Sequence, residues 1–146
     1  MKTFVILVFA FLWSASVSAG EDKIKIIDGF NDFGLDRVLE KSGPVVVIDD
    51  LLGFAHALKE GYGVYLEEGR PELEVKISFM NPRTDNERAV VDVKDTGFAD
   101  DSVKGQWQRF MFKRVKDTRF KLVEYGSKWS CYRGENKDKW IKGLCG

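Results

Sequence analysis

A chain of 146 residues carrying 23 basic and 23 acidic side chains, two cysteines and one histidine is long enough for one domain core and has no net field of its own. One histidine excludes the histidine-rich metal centres. Two cysteines with no histidine beside them exclude a four-ligand structural zinc site, although an all-carboxylate calcium site stays open.

Met1-Lys2-Thr3 has one positive charge, and the ten residues Phe4 to Trp13 are apolar throughout. That run is too short to span a bilayer. Val17-Ser18-Ala19 fits a small-residue cleavage site, so residues 1–19 are predicted to be a signal peptide cut after Ala19. No cysteine stands next to the apolar run or the predicted cleavage site, so a lipoprotein anchor has no attachment point there. Residues 20–146 are then a single globular domain in the periplasm or outside the cell. Residues 20–100 hold 10 basic and 18 acidic side chains, a net of −8, and residues 101–146 hold 12 and 5, a net of +7. Either the basic segment meets an anionic partner, or the two halves pack so that their charges interleave.

Lys23 to Ile27 is short and apolar-rich and reads as a first strand. Asn31 is a candidate cap with Phe30 as its staple residue, ahead of an amphipathic helix over Asp32–Ser42 that ends at Gly43-Pro44. An EF-hand reading of the carboxylates around Gly34 fails, because Phe30 and Phe33 occupy ligand positions. Pro44 to Ile48 is β-branched and reads as a strand buried on both faces. Asp49-Asp50 caps a second helix with Leu51, Leu52, Ala55 and Leu58 on one face and Gly61 as its stop; Gly53 weakens it by about 1 kcal/mol.

From Tyr62 the period becomes two. Tyr62–Leu66 is a predicted strand, and Glu67 to Pro71 is a turn. Leu73, Val75, Ile77 and Phe79 then alternate with polar residues, and Ala89, Val91 and Val93 alternate on the return, which predicts an antiparallel hairpin. Asp95–Gly105 reads as a crossover loop or one helical turn. Trp107–Val115 and Phe120–Tyr125 are paired strands, Gly126-Ser127 a turn, and Lys128–Arg133 the last strand. The predicted fold class is α+β: two N-terminal helices packed on a curved antiparallel sheet of about five strands, with one C-terminal disulfide. An oxidising compartment makes Cys131 and Cys145 that disulfide.

Catalytic patterns are few. His56 lies between two alanines on a predicted helix, and no Gly-x-Ser-x-Gly elbow is present. The carboxylate doublets Asp49-Asp50, Glu67-Glu68 and Asp100-Asp101 read as caps or solvated turns, since neighbours on a strand point to opposite faces. No phosphate-cradling glycine loop occurs, and nucleic acid is not an expected partner. No catalytic, metal or cofactor-holding residue is assigned. What remains is a concentration of aromatic and basic side chains, from which Arg109, Trp129, Tyr132, Arg133 and Trp140 are selected as candidate binding residues.

The run Trp129-x-Cys131-x-Arg133-Gly134-Glu135, followed by Trp140 and Cys145, resembles the ending of small exported proteobacterial proteins with no assigned function. The resemblance covers about the last third of the chain and implies a periplasmic address and a paired-cysteine tail. The expected function is a non-enzymatic binding protein, an inhibitor or immunity-type partner of an envelope protein. Two alternatives are a module for a lipid or anionic metabolite held between helices and sheet, and an enzyme with a dispersed acid-base site.

Overall fold

The computed structural model describes residues 23–60, 72–98, 101–116 and 118–146. The expected signal peptide, the strand Tyr62–Leu66 and its turn lie outside these residues. Nine elements follow in order: β1 (Lys25–Ile26), α1 (Leu35–Ser42), β2 (Val47–Ile48), α2 (Leu51–Glu60), β3 (Glu72–Met80), β4 (Arg88–Thr96), β5 (Val103–Lys116), β6 (Arg119–Cys131) and β7 (Trp140–Ile141). The α+β class holds, but among the described residues the sheet has seven strands rather than about five, and it is mixed because β1 runs parallel to β6.

The β3–β4 hairpin forms where the alternation places it. Val75 pairs with Val93, Ile77 with Val91 and Phe79 with Ala89, so these side chains share one face. Phe79 nevertheless stays 50% exposed at the end of that face. Asp95–Gly105 is not a crossover. β4 pairs with β5 up to Thr96 opposite Gly105, and the Gly97 N–H donates to the Lys104 carbonyl at 2.9 Å.

The largest departure is β6, one continuous strand where two strands and a turn were expected. Gly126-Ser127 has the composition of a turn but lies mid-strand, and its glycine serves a close approach. A Cβ at Gly126 would stand 2.5 Å from Phe30 Cβ and 2.7 Å from its Cγ. The backbone beside it is held by Asn31, which exchanges two hydrogen bonds with Ser127 at 3.0 and 2.9 Å. β2, β1, the Asn31 bridge and β7 meet the outer edge of β6 in succession. Chain segments thus cover an edge that would otherwise expose unpaired backbone groups.

One face of the sheet packs against the helices. Val38 of α1 and Leu51 and Ala55 of α2 are buried with Val91, Phe110, Phe112 and Leu122. Phe54 meets Phe110 and Phe112 edge-on, at 5.1 and 5.3 Å between centroids. Each fully buried Val, Leu or Phe among them contributes on the order of 1.5–3 kcal/mol. Helix α1 starts three residues later than its pattern suggested. Gly34 has φ +90 and cannot be its first helical residue. Asn31 instead closes a turn through Phe33 N–H to its Oδ1 at 2.9 Å. Tyr125 OH, fully buried, donates to the Phe33 carbonyl at 2.6 Å and accepts from Gln108 Nε2 at 2.9 Å. These bonds tie the start of α1 to the sheet. For α2, Asp50 Oδ1 accepts from the Gly53 N–H at 2.9 Å, as an N-cap should.

Two further expectations fail locally. The run Pro44 to Ile48 is not buried on both faces: Val46 is 2% exposed, but Val45 and Val47 are 54% and 41% exposed. It is a short edge segment, so only one side of it meets the core. Leu52 is 52% exposed and stands off the buried face of α2.

Cys131 and Cys145 form a disulfide, closing a separation of 14 residues. Between them β7 folds back on Trp129 and Ser130 of β6. Lys104 Nζ donates to Asp138 Oδ1 at 2.5 Å, a bond that raises the Lys104 pKa and lowers that of Asp138. Among the described residues no helix is long and apolar enough to cross a membrane.

Candidate binding surface

The face of the sheet turned away from the helices is a grid of cross-strand rows. Residues directly opposite share a face, and the register gives Glu74–Lys94–Trp107–Lys128, then Lys76–Asp92–Arg109–Gly126, then Ser78–Val90–Met111–Glu124, then Met80–Arg88–Lys113–Lys121. Lys25 stands opposite Glu124. Together with Glu72 at one end, these rows hold eight Lys or Arg against four Asp or Glu, a net of +4. The basic excess of the C-terminal half is thus displayed on one surface, while its aromatic core residues face the helices.

Phe30 lies over Gly126 on this face and is 5% exposed. Trp107 packs on it at 5.1 Å and meets Trp140 at 6.0 Å, both edge-to-face. Cations surround the rings. Lys128 Nζ is 4.4 Å from the Phe30 centroid, Arg109 Cζ 4.8 Å from that of Trp107, and Lys94 Nζ 5.5 Å from that of Trp107. Such contacts contribute about 0.5–2 kcal/mol each, more as they are desolvated.

Asp92 fixes the arrangement. Its Oδ1 accepts from Arg109 Nε at 2.7 Å and from Trp107 Nε1 at 2.7 Å, and its Oδ2 accepts from Arg109 Nη2 at 3.0 Å. The Asp92 side chain is 12% exposed and that of Arg109 32%. A planar guanidinium and an indole are therefore held in a fixed relative pose on the exposed face of the sheet.

The structure does not bring all five sequence-selected residues together. Arg109 and Trp140 belong to the cluster. Trp129 does not: it is opposite Gln106, on the helix-facing side, 8% exposed, and packed on Phe33 at 4.7 Å. The strand register turns it inward, away from the Trp107 cluster. Tyr132 is 37% exposed, with its hydroxyl donating to the Phe98 carbonyl at 3.2 Å. Arg133 binds Asp101 through the backbone carbonyl at 2.7 Å and the carboxylate at 2.6 Å. Both sit on the loop beyond β6. Phe30, Asp92, Lys94 and Lys128 were not selected from the sequence. The strand register aligns Asp92, Lys94 and Lys128 with Trp107 and Arg109, and the Asn31–Ser127 bridge brings Phe30 over Gly126 beside them.

On the other side of the molecule, Glu87 is buried and accepts from Arg114 Nε at 2.7 Å. That bond holds its carboxyl below the ordinary carboxylate value. His56 is exposed on α2. Among the described residues no group of three or more His, Cys, Asp or Glu is placed to hold a metal ion. No protein family, characterised protein or solved structure matches this chain.

Proposed function

We propose that this protein is a small exported binding protein of the cell envelope. It docks an acidic protein partner on the open face of its sheet, in the manner of an inhibitor or an immunity protein. The carrying observation is the Phe30–Trp107–Trp140 aromatic group framed by Arg109, Lys128 and Lys94. Trp and Arg dominate the energetics of protein interfaces. Here they are pre-ordered by Asp92 on a face with a net charge of +4, which favours a negatively charged counterpart. The disulfide and the resemblance of the C-terminal third to exported proteins support the periplasmic setting.

The test is capture from envelope extract with the oxidised protein and with a Lys94→Glu, Lys128→Glu variant. Both lysines are partly exposed and neither belongs to the core, so the variant should stay folded, melting below the parent only by what the lost contacts to Phe30, Trp107 and Glu74 contribute. One stoichiometric, acidic protein, released by salt and lost with the variant, is the expected result. Equal retention by the variant, or no protein retained at low salt, refutes the reading.

A further inference from the structure

A second basic region lies at the opposite end of the same sheet face, six residues along β4 from Lys94, or about 20 Å. Lys23, Lys25, Arg88 and Lys113 line a depression of about 770 Å³ with Ile24, Ile26, Val123 and Glu124. Glu124 is its one acid, and it already accepts from Arg88 Nη1 at 3.3 Å. Four cations thus face one carboxylate. The volume falls in the range of small-ligand sites, large enough for a phosphate-bearing headgroup.

The surroundings distinguish this region from an ordinary solvated charge cluster. The adjoining cross-strand row is Met80–Arg88–Lys113–Lys121–Val47, cationic in the middle and apolar at both ends. Met80 is 46% exposed, Val47 41% and Ile26 40%, and Val115, near the end of β5, is 49% exposed. A soluble anion has no use for that apolar rim. A lipid surface uses both parts: basic side chains attract anionic headgroups, and exposed apolar side chains enter the boundary between headgroup and acyl chain.

We propose that this end of the sheet is a docking surface for anionic phospholipid headgroups, with Lys23, Lys25, Arg88 and Lys113 as the headgroup contacts. The binding is peripheral and leaves the Trp107 cluster about 20 Å away along the strands. Its contact residues lie outside the Trp107 cluster, although Lys25, Arg88 and Lys113 also contribute to the net charge of that face.

The experiment is co-sedimentation of the oxidised protein with vesicles of phosphatidylcholine alone and of phosphatidylcholine and phosphatidylglycerol in equal parts, at low and at physiological salt. Binding is expected to the anionic vesicles only and to weaken with salt. A lysine near an anionic surface is worth about fivefold in affinity, so Lys25→Gln with Lys113→Gln should weaken binding about 25-fold. Val47→Ser with Met80→Ser should weaken it several-fold at both salt concentrations. Glycerol phosphate, as the free headgroup, should not displace the protein at millimolar concentration. Equal binding to both vesicles, none to either, or unchanged binding by the lysine variant overturns the proposal. So does tight glycerol phosphate binding without vesicle binding, which would make the ligand a soluble anion.

Discussion

Replacing Gly126 by alanine tests whether the position of Phe30 organises the open face of the sheet. The added methyl would meet Phe30 Cβ at 2.5 Å, Cγ at 2.7 Å and Cδ1 at 2.9 Å. These are the root of the side chain rather than a movable tip. Retreat is blocked, because Phe30 N–H is bonded to the Ile27 carbonyl at 3.0 Å and Asn31 is bonded twice to Ser127. Overpacking of this kind costs about 1–3 kcal/mol, against a gain of about 0.5–1 kcal/mol from replacing a strand glycine. Gly126→Ala should therefore destabilise the protein by about 1–2 kcal/mol. Urea unfolding followed by far-UV circular dichroism measures the loss, and tryptophan emission should shift as Phe30 leaves Trp107. Phe30→Gly removes all three clashing atoms, so in that background the same alanine should be neutral or stabilising, a coupling of about 2 kcal/mol. A Gly126→Ala protein within about 0.5 kcal/mol of the parent would show that the close approach is not a constraint.

Two further predictions concern other parts of the fold. Glu87 has a folded pKa below its ordinary value of 4.5 because Arg114 donates to it. Its stabilising effect is therefore complete above the unfolded value and is lost as pH falls through the depressed folded value. Glu87→Gln should flatten the acid side of the stability profile below about pH 4.5 and leave its shape near neutrality unchanged; an identical acid limb in the variant would refute the assignment. The disulfide closes a separation of 14 residues, so reduction should cost about 3 kcal/mol in the chain-entropy account. Denaturation with and without reductant measures this, and coincident curves would mean that β7 and the Lys104–Asp138 bond hold the tail unaided.

How much could be read from the sequence follows from the range of the interactions involved. The β3–β4 hairpin was legible because Leu73, Val75 and Ile77 alternate with charges, and the partner strand repeats the pattern within a short separation. The disulfide was legible because only two cysteines exist. β6 was not, since Gly126-Ser127 resembles a turn unless Phe30, far back in the chain, is known to lie over it. The site was half legible for the same reason. Composition drew attention to Arg109 and Trp140, but composition does not carry parity. Trp107 faces Lys128 and Gln106 faces Trp129 because of the β5–β6 register, and that register shifts between Met111 and Phe112. A one-residue change in pairing exchanges the two faces of a strand. The bulge therefore decides which aromatic residues are core and which are surface, and no local pattern marks it.

The same register gives meaning to the opposed charges of the two halves. Interleaving does occur: Glu74 of β3 meets Lys94 at 3.5 Å, Asp92 of β4 clamps Arg109, and Glu87 takes Arg114. Each of these acids comes from the acidic half, and Asp92 and Glu87 take cations from the basic half. Yet a net of +4 remains on one face of the sheet. Only β4 lies between the β5–β6 hairpin and the β3 edge, and the four acids of that face leave half of its cations uncompensated. Among the described residues, the helices cover only the other face. Holding Arg109 and Trp107 in one fixed pose through Asp92 stabilises the fold and also presents a pre-ordered cation and ring on the open face. Fixing a cation against an aromatic ring on an uncovered sheet loses conformational entropy in the free protein, and that loss is recovered when a partner docks. This is the physical argument behind proposing the open face of the sheet, rather than the helices, as the docking surface.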